Sequence, residues 1–305
     1  PFYEHQPFRI PNVLEIHSLF KENEYDRLIC STEGPMGGIA YFLKKSFTVP
    51  AHFYIHTDWM TFVKTALNFD ESNVHRFRRL LRTFYRCFDK IFVLNSDQKK
   101  WLMSEGMEFT NEKVCITAHW ADESFMPKNS QKKEIFGVDD DTIVLLFAGR
   151  VSDEKGVMEL PEIYNKVKSA GKNIVIAIAG MGPSEEKLKK ALPEAVYLGW
   201  IDHNKLSEVY SAADMLLLPS KFDTFGCVVL EALSCGIPVI AYKTKGPKDI
   251  IEHEKNGYLA DSQDEMVQHI ISFLESESTR NSFKSEALKR AQDYNSDRII
   301  DQFLY

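Results

Sequence analysis

Two stretches of the chain combine charge with glycine in a way that suits an anionic ligand. The first is IVLLFAGRVSDEKG, an apolar run that ends at Gly149 and leads to Arg150 and Lys155. Glycine permits a tight turn, and ligands of open α/β sheets bind outside the carboxyl ends of strands. Two cations placed there suit a diphosphate: a guanidinium bonds it in a fork and an ammonium acts as a point charge. The second stretch is LLLPSKFDTFGCVVLEALSCGIPVIAY. A buried-type strand ends at Pro219, and a loop carrying Asp223, Thr224, Phe225 and Gly226 runs into a helix that holds Glu231. Gly226 lets backbone N–H groups approach an anion, and the helix start adds partial positive charge. Glu231 follows Val228, Val229 and Leu230. A carboxylate in that company needs partners, and sugar hydroxyls supply them in pairs. Read alone, the first stretch is equally a solvated loop with two surface cations. The second is equally an N-capping Asp followed by an internally paired Glu.

The elements that must position these groups alternate along the chain. Short β-branched or aromatic runs predict strands at 27–32, 51–56, 91–95, 114–118, 143–148, 173–179, 195–198, 214–219 and 238–242. Amphipathic patterns predict helices at 37–47, 74–88, 157–170, 206–212 and 226–235. Runs such as IVLLFA and NIVIAIA are apolar on both faces, as strands covered by helices on both sides must be. This alternation indicates an α/β fold with parallel sheets. MPKNSQKKEIFGVDDD is polar and separates two strand–helix series, so domains are expected at 1–126 and 127–285. The charged tail ends in YNSDRIIDQFLY, with Ile299, Ile300, Phe303 and Leu304 at helical spacing. A C-terminal helix over 286–305 is expected to pack back toward the first domain.

GR-x4-KG followed by [DE]-x-FG-x4-E resembles the retaining glycosyltransferases of the GT-B fold, family 4. AGMGP at 179–183, YLGWI at 197–201 and SCGIPVIAYKTKGPKDII support the likeness. The family usually has Glu at the first carboxylate. Asp223 departs from that, and the DTFG form looks like the branch that makes sulfoquinovosyl and mannosyl lipids. The resemblance implies two Rossmann-like domains facing across a cleft, the first without its opening strands here, since the family's first strand and Gly-rich turn have no counterpart before Pro1. It implies that Arg150 and Lys155 hold a nucleotide diphosphate, that Glu231 binds the ribose, and that Asp223 contacts the transferred sugar. Backbone groups of Phe225, Gly226, Cys227 and Val228 would hold sugar or phosphate oxygens, with Thr224, Gly149 and Gly182 in the same substrate-binding set. Gly199, Trp200 and Ile201 would line the base pocket.

The likeness is looser in the first domain. STEGPMGGIAYFLKK resembles the strand–turn–helix whose glycines, Gly37 among them, bring a helix start close to the cleft. AHFYIHTDW resembles the segment that places His56 at the donor sugar, and Asp58 would orient an acceptor hydroxyl. Taken alone, His56 is as readily a buried strand-end histidine. Ser96, in VLNSDQKKWL, reads as a helix cap. HWAD at 119–122 stands in place of a common Asn-Gly-Val-Asp turn. The catalytic set implied is Arg150, Lys155, His56 and Asp223. Attack would come from the same face as the departing group, with the leaving phosphate accepting the proton.

Composition narrows the partners. Of 305 residues, 44% are hydrophobic and 27% charged, ordinary values for packed globular domains. A net charge of −7 argues against a duplex nucleic-acid binder, which needs a basic footprint. The five cysteines form no CxxC pair, so neither a disulfide framework nor a zinc site is indicated, and a reducing, cytoplasmic setting is expected. Asp139–Asp141 precedes a predicted strand rather than ending one and reads as a turn, not as a metal site. No metal or other cofactor is expected, because Arg150 and Lys155 can neutralise a leaving diphosphate. The expected partners are a UDP- or GDP-sugar donor and a lipid or glycan acceptor. Arg76, Arg78, Arg79, Arg82, Arg86 and Lys90 fall on a helix with Phe77, Leu80, Leu81, Phe84, Tyr85 and Phe88. That face is either a solvated basic surface or an adhesion point for anionic lipid at the inner face of a membrane.

Overall fold

The computed structural model describes residues 11–65 and 67–304, so most of the opening segment discussed above lies outside the described residues. The chain divides into two compact units, 1–117 and 118–305.

The first unit runs α1 (Val13–Glu22), β1 (Leu28–Cys30), α2 (Pro35–Phe47), β2 (Ala51–Ile55), α3 (Trp59–Thr65), α4 (Glu71–Tyr85), β3 (Lys90–Val93), α5 (Ser96–Met103) and β4 (Val114–Ile116). Its strands form a parallel sheet in the order β1-β2-β3-β4. Polar residues start the helices as expected of N-caps. Asn12, Asp70 and Asn95 accept the backbone N–H of Glu15, Asn73 and Gln98. The cap of α5 is therefore Asn95, one residue ahead of the expected Ser96. The core is aromatic: Phe53 meets Phe84 edge-on at 5.3 Å and packs on Tyr85 and Phe88, all beneath β2 and β3.

The second unit runs α6 (Lys132–Phe136), β5 (Ile143–Ala148), α7 (Leu160–Ser169), β6 (Ile174–Ala179), α8 (Glu185–Ala191), β7 (Val196–Gly199), α9 (His203–Ala212), β8 (Met215–Leu218), α10 (Cys227–Ser234), β9 (Val239–Tyr242), α11 (Pro247–Ile250), β10 (Gly257–Ala260), α12 (Gln263–Glu275), α13 (Glu277–Ala291) and α14 (Ser296–Leu304). The sheet is parallel, in the order β10-β9-β8-β5-β6-β7. Every residue of β6 and β8 is buried, as is all of β5 after Ile143, because helices cover both faces. The unpredicted strand β10 is a short GYLA run beside β9, too brief to register as a period.

Residues 118–128 belong to the second unit, so the division falls ahead of position 126. Ser207 donates its hydroxyl to the Met126 carbonyl at 2.8 Å, Ser211 accepts the Lys128 N–H at 2.9 Å, and Phe125 meets Tyr210 edge-on. The tail is two helices rather than one. Arg290, near the end of α13, donates to the Asp249 and Ile250 carbonyls at the end of α11. In α14 the i,i+4 pair Ile299 and Phe303 is buried, whereas Ile300 and Leu304, a third of a turn away, are exposed. Asp139–Asp141 forms the turn before β5, with the Asp139 carbonyl accepting the Thr142 N–H. The cysteines described are all free thiols.

One buried ion pair ties the start of this sheet together. Asp214 accepts the Val144 N–H at 2.8 Å and lies 2.7 Å from Lys132 Nζ, which also donates to the Thr142 carbonyl. Asp214→Ala removes the acceptor of the Val144 N–H and the carboxylate partner of Lys132, and is expected to cost about 2–3 kcal/mol in denaturant unfolding. Asp214→Asn, which keeps an acceptor, should cost less. Equal losses would mean that the charge, not the hydrogen bonding, holds the strands.

Candidate functional site at the sheet reversal

In the second sheet β5 has β6 on one side and β8 on the other, so successive strands leave it in opposite directions. Such a reversal opens a crevice at the carboxyl ends of the two central strands. The loops after β5 and β8 are the ones that carry the charged residues singled out in the sequence.

Close backbone approaches hold these loops. A Cβ on Gly156, at φ +72°, would lie 2.0 Å from the Pro219 carbonyl oxygen, which joins the loop after β5 to the loop after β8. A Cβ on Gly180, at φ +147°, would lie 1.8 Å from the Gly149 oxygen. Gly180 also donates its N–H to the Gly199 carbonyl at 2.8 Å, so the ends of β5, β6 and β7 are stacked backbone to backbone. Gly182 has the same office: its Cβ would meet the Val151 oxygen at 2.2 Å.

A cavity of about 370 Å³ opens here. Of the residues expected at a substrate site, Gly149, Arg150, Trp200, Ile201, Val228 and Glu231 all line it. Met181, Leu206 and Tyr210 line it too and were not foreseen. Tyr210 is buried on α9 and donates its hydroxyl to Glu231 Oε2 at 2.8 Å. Its only sequence signal was a tyrosine in an amphipathic helix, which reads as core. The Arg150 guanidinium is largely solvated and 3.8 Å from Glu154, a loose surface pair of small energetic weight.

Lys155 and Asp223, 68 residues apart, form an ion pair of 3.0 Å between Nζ and Oδ2. Asp223 does not cap α10: Gly226, at φ +88°, occupies the N-cap, and no side-chain bond closes that helix start. Phe225 and Gly226 are buried, Thr224 is half-buried, and Cys227 opens the helix. His119 packs edge-on against Phe225 at 5.0 Å. Crowding by protein, then the Glu231 and Asp223 carboxylates, push the Cys227 thiol up to about 11, with Lys155 opposing, although the residue keeps contact with solvent. Glu231, Asp223 and Lys155 thus all act on the first residue of α10.

In the first unit His56 follows the carboxyl end of β2, half-buried, with its ring 4.1 Å from that of Tyr54. Burial lowers its pKa, so it is neutral at pH 7. Asp58 engages Thr61, accepting its hydroxyl at 2.6 Å and its N–H at 3.3 Å, and so organises the start of α3. Gly37 sits in the first turn of α2, where a Cβ would lie 2.5 Å from both the Thr32 carbonyl oxygen and the Phe84 ring. Glu33 Oε1 accepts from Trp59 Nε1 at 2.7 Å and Tyr85 OH at 2.6 Å, and so joins the α2 turn to the segment after His56. Of the basic cluster, Arg76, Arg79 and Arg86 are exposed, while Arg82 pairs with Glu108 and Arg78 donates to the Glu105 carbonyl; Lys90 is not on the helix, which ends at Tyr85, but opens β3.

Burial raises the Glu231 pKa above its ordinary value, against the opposing pull of the Tyr210 hydroxyl and of His203. A carboxyl whose folded pKa exceeds its unfolded value loses stability for the fold as pH rises through the folded value. Glu231→Gln, which can still accept from Tyr210, is therefore expected to raise the melting temperature of the empty protein at pH 7. The gain should vanish below about pH 4, where both states are protonated. Melting curves across that range check it, and a lower melting temperature at pH 7 would contradict it.

Residues 128–290 match the family described as glycosyl transferases group 1. A sulfoquinovosyl transferase of Arabidopsis thaliana is 27% identical over 96% of this chain and 58% of its own length. An alpha-monoglucosyldiacylglycerol synthase of Acholeplasma laidlawii is 22% identical over 79% of this chain and 64% of its own length. The chain thus spans about three fifths of these relatives. Among solved structures, HepE of Anabaena in complex with UDP is similar at a TM-score of 0.79, with 18% identity, over 96% of this chain and 80% of that one. Two parallel α/β sheets of this kind are the GT-B fold, and the match across more than half of its residues places the chain in the glycosyl transferases group 1 family.

Proposed function

We propose that the protein transfers a sugar, with retention of configuration, from a UDP- or GDP-sugar to an acceptor hydroxyl, and that the acceptor is a membrane lipid. One observation carries the reading. Arg150 and Glu231 line one cavity at the sheet reversal, and the Lys155–Asp223 pair stands on the same two loops. The cavity has the size of a small-molecule site. The UDP in the Anabaena structure and the lipid named in the Acholeplasma relative support the donor and acceptor classes.

In this reading Glu231, fixed by Tyr210, accepts the two ribose hydroxyls, and Trp200, Ile201 and Met181 flank the base. As the glycosidic bond breaks, negative charge grows on the diphosphate. Arg150, Lys155 and the N–H groups at the start of α10, whose N-cap is a glycine, stabilise it, and no metal ion is required. The leaving phosphate takes the proton of the attacking hydroxyl, so no carboxylate nucleophile is assigned. His56, neutral, is assigned a hydrogen bond to the transferred sugar. Exposed Arg76, Arg79 and Arg86, with Leu80 beside them, are assigned to anionic lipid headgroups, each cation near the surface contributing about 1 kcal/mol.

A thermal-shift panel of UDP-, GDP- and ADP-sugars tests the donor site, since a ligand bound only by the native state raises the melting temperature. Arg150→Ala and Lys155→Ala are expected to lower turnover by about 10²–10³-fold, the usual effect of removing one stabiliser of developing charge. Near-parental turnover in either would refute its role. Glu231→Gln should weaken nucleotide binding, read by calorimetry. For the lipid assignment, Arg76→Glu with Arg79→Glu should reduce co-sedimentation with anionic but not neutral vesicles. Unchanged partitioning would remove that surface from the proposal.

A further inference from the structure

We infer that Asp223 makes the site favour the intact nucleotide sugar over the free nucleoside diphosphate that transfer leaves behind, by setting a carboxylate against Lys155 where the diphosphate is gripped. This rests on the donor-site reading above and goes beyond it.

The helix-cap reading of Asp223 does not hold in the structure. Gly226 is the N-cap of α10, and the Asp223 side chain is only 12% exposed. Its carboxylate is instead 3.0 Å from the Lys155 ammonium. The contact between Gly156 and Pro219 sets the two loops together, so the pair belongs to the backbone arrangement of the site rather than to two mobile surface chains. A site built only to hold a diphosphate gains nothing from a carboxylate that neutralises one of its two cations.

The charges on the two ligands differ. In a nucleotide sugar both phosphates are esterified at their outer ends, and each carries one negative charge. Cleavage of the glycosidic bond turns the second phosphate into the terminal phosphoryl group of a diphosphate, whose further ionisation has a pKa of about 6, so most of it carries an extra charge at pH 7.5. That extra charge appears at the phosphate next to the departed sugar, on the side where Asp223 stands. Toward the donor, Asp223 presents an acceptor to sugar hydroxyls. Toward the product it presents a like charge with no hydroxyl to satisfy it, and it competes for Lys155. One side chain therefore holds the donor and loosens the product. Glu231 does not duplicate this, because Tyr210 fixes it within the cavity among Trp200, Ile201 and Val228.

The test is calorimetric titration at pH 7.5 with UDP, GDP and ADP, each against its glucose derivative. Wild type, Asp223→Asn, Asp223→Ser, Asp223→Glu and Lys155→Ala are compared. Both neutral variants should bind the free diphosphate about tenfold more tightly than wild type, as one unit charge a few ångströms away in a partly solvated site predicts. They should bind the glucose derivative no more tightly, so the preference for the intact donor falls by about tenfold. Asp223→Glu, which keeps the charge, should keep the wild-type preference. Lys155→Ala should weaken both ligands. If the folded neutral variants leave the ratio of the two affinities unchanged, the inference fails while the donor site stands. If wild type binds none of the six probes, the donor-site reading itself fails and this inference with it.

Discussion

The loops that carry the site can meet only because Gly156 has no side chain. Its α-carbon lies against the Pro219 carbonyl, where any Cβ would overlap the oxygen, and its positive φ is one that other residues adopt at a cost. That approach lets Lys155 reach Asp223, 68 positions further along the chain. The same device recurs at Gly180 against Gly149 and at Gly182 against Val151, so the ends of three neighbouring strands form one backbone platform. Side chains on such a platform are placed by main-chain contacts rather than by their own hydrogen bonds. A group such as Arg150 can therefore be well positioned at its root and still largely solvated at its tip.

The electrostatics of the second unit follow from this platform. Two cations and two carboxylates stand on or beside the start of one helix whose N-cap is a glycine. The carboxylates differ in kind. Glu231 is half-buried and held by a tyrosine, and its ionised form is disfavoured there, a cost that a ligand rich in hydroxyls can relieve. Asp223 is paired with an ammonium. A glycine at the N-cap brings no capping side chain to the helix start, a geometry that suits an anion.

The first unit shows the opposite balance. Several of its motif residues have structural employment: Asp58 organises α3, Gly37 admits a carbonyl and an aromatic ring, and Glu33 joins three elements through Trp59 and Tyr85. Two of the six cations read as one basic face, Arg78 and Arg82, are tied to the loop after α5. A helical wheel shows which residues share a face but not which acceptors a neighbouring loop brings to it.

Much of the fold was legible because local periodicity and burial agree. Doubly apolar runs became central parallel strands, but the two cap readings did not hold: Asn95, not Ser96, caps α5, and Gly226, not Asp223, starts α10. The register of Asn95 against Ser96 and the brief strand β10 lay below that resolution. Gly149, Arg150, Trp200, Ile201, Val228 and Glu231, which the structure places around one cavity, were singled out from charge, glycine and the family resemblance, since motifs keep their residue types in order along the chain. Tyr210 and Met181 were not, because nothing in a lone tyrosine or methionine distinguishes a cavity wall from a core. The sequence by itself determined the strand–helix alternation and which residues carry charge into the loops. Only the tertiary structure decided that β8 lies beside β5, and therefore that Lys155 meets Asp223. Strand order is set by how helices cover both faces of the sheet, a packing choice made between segments far apart in sequence.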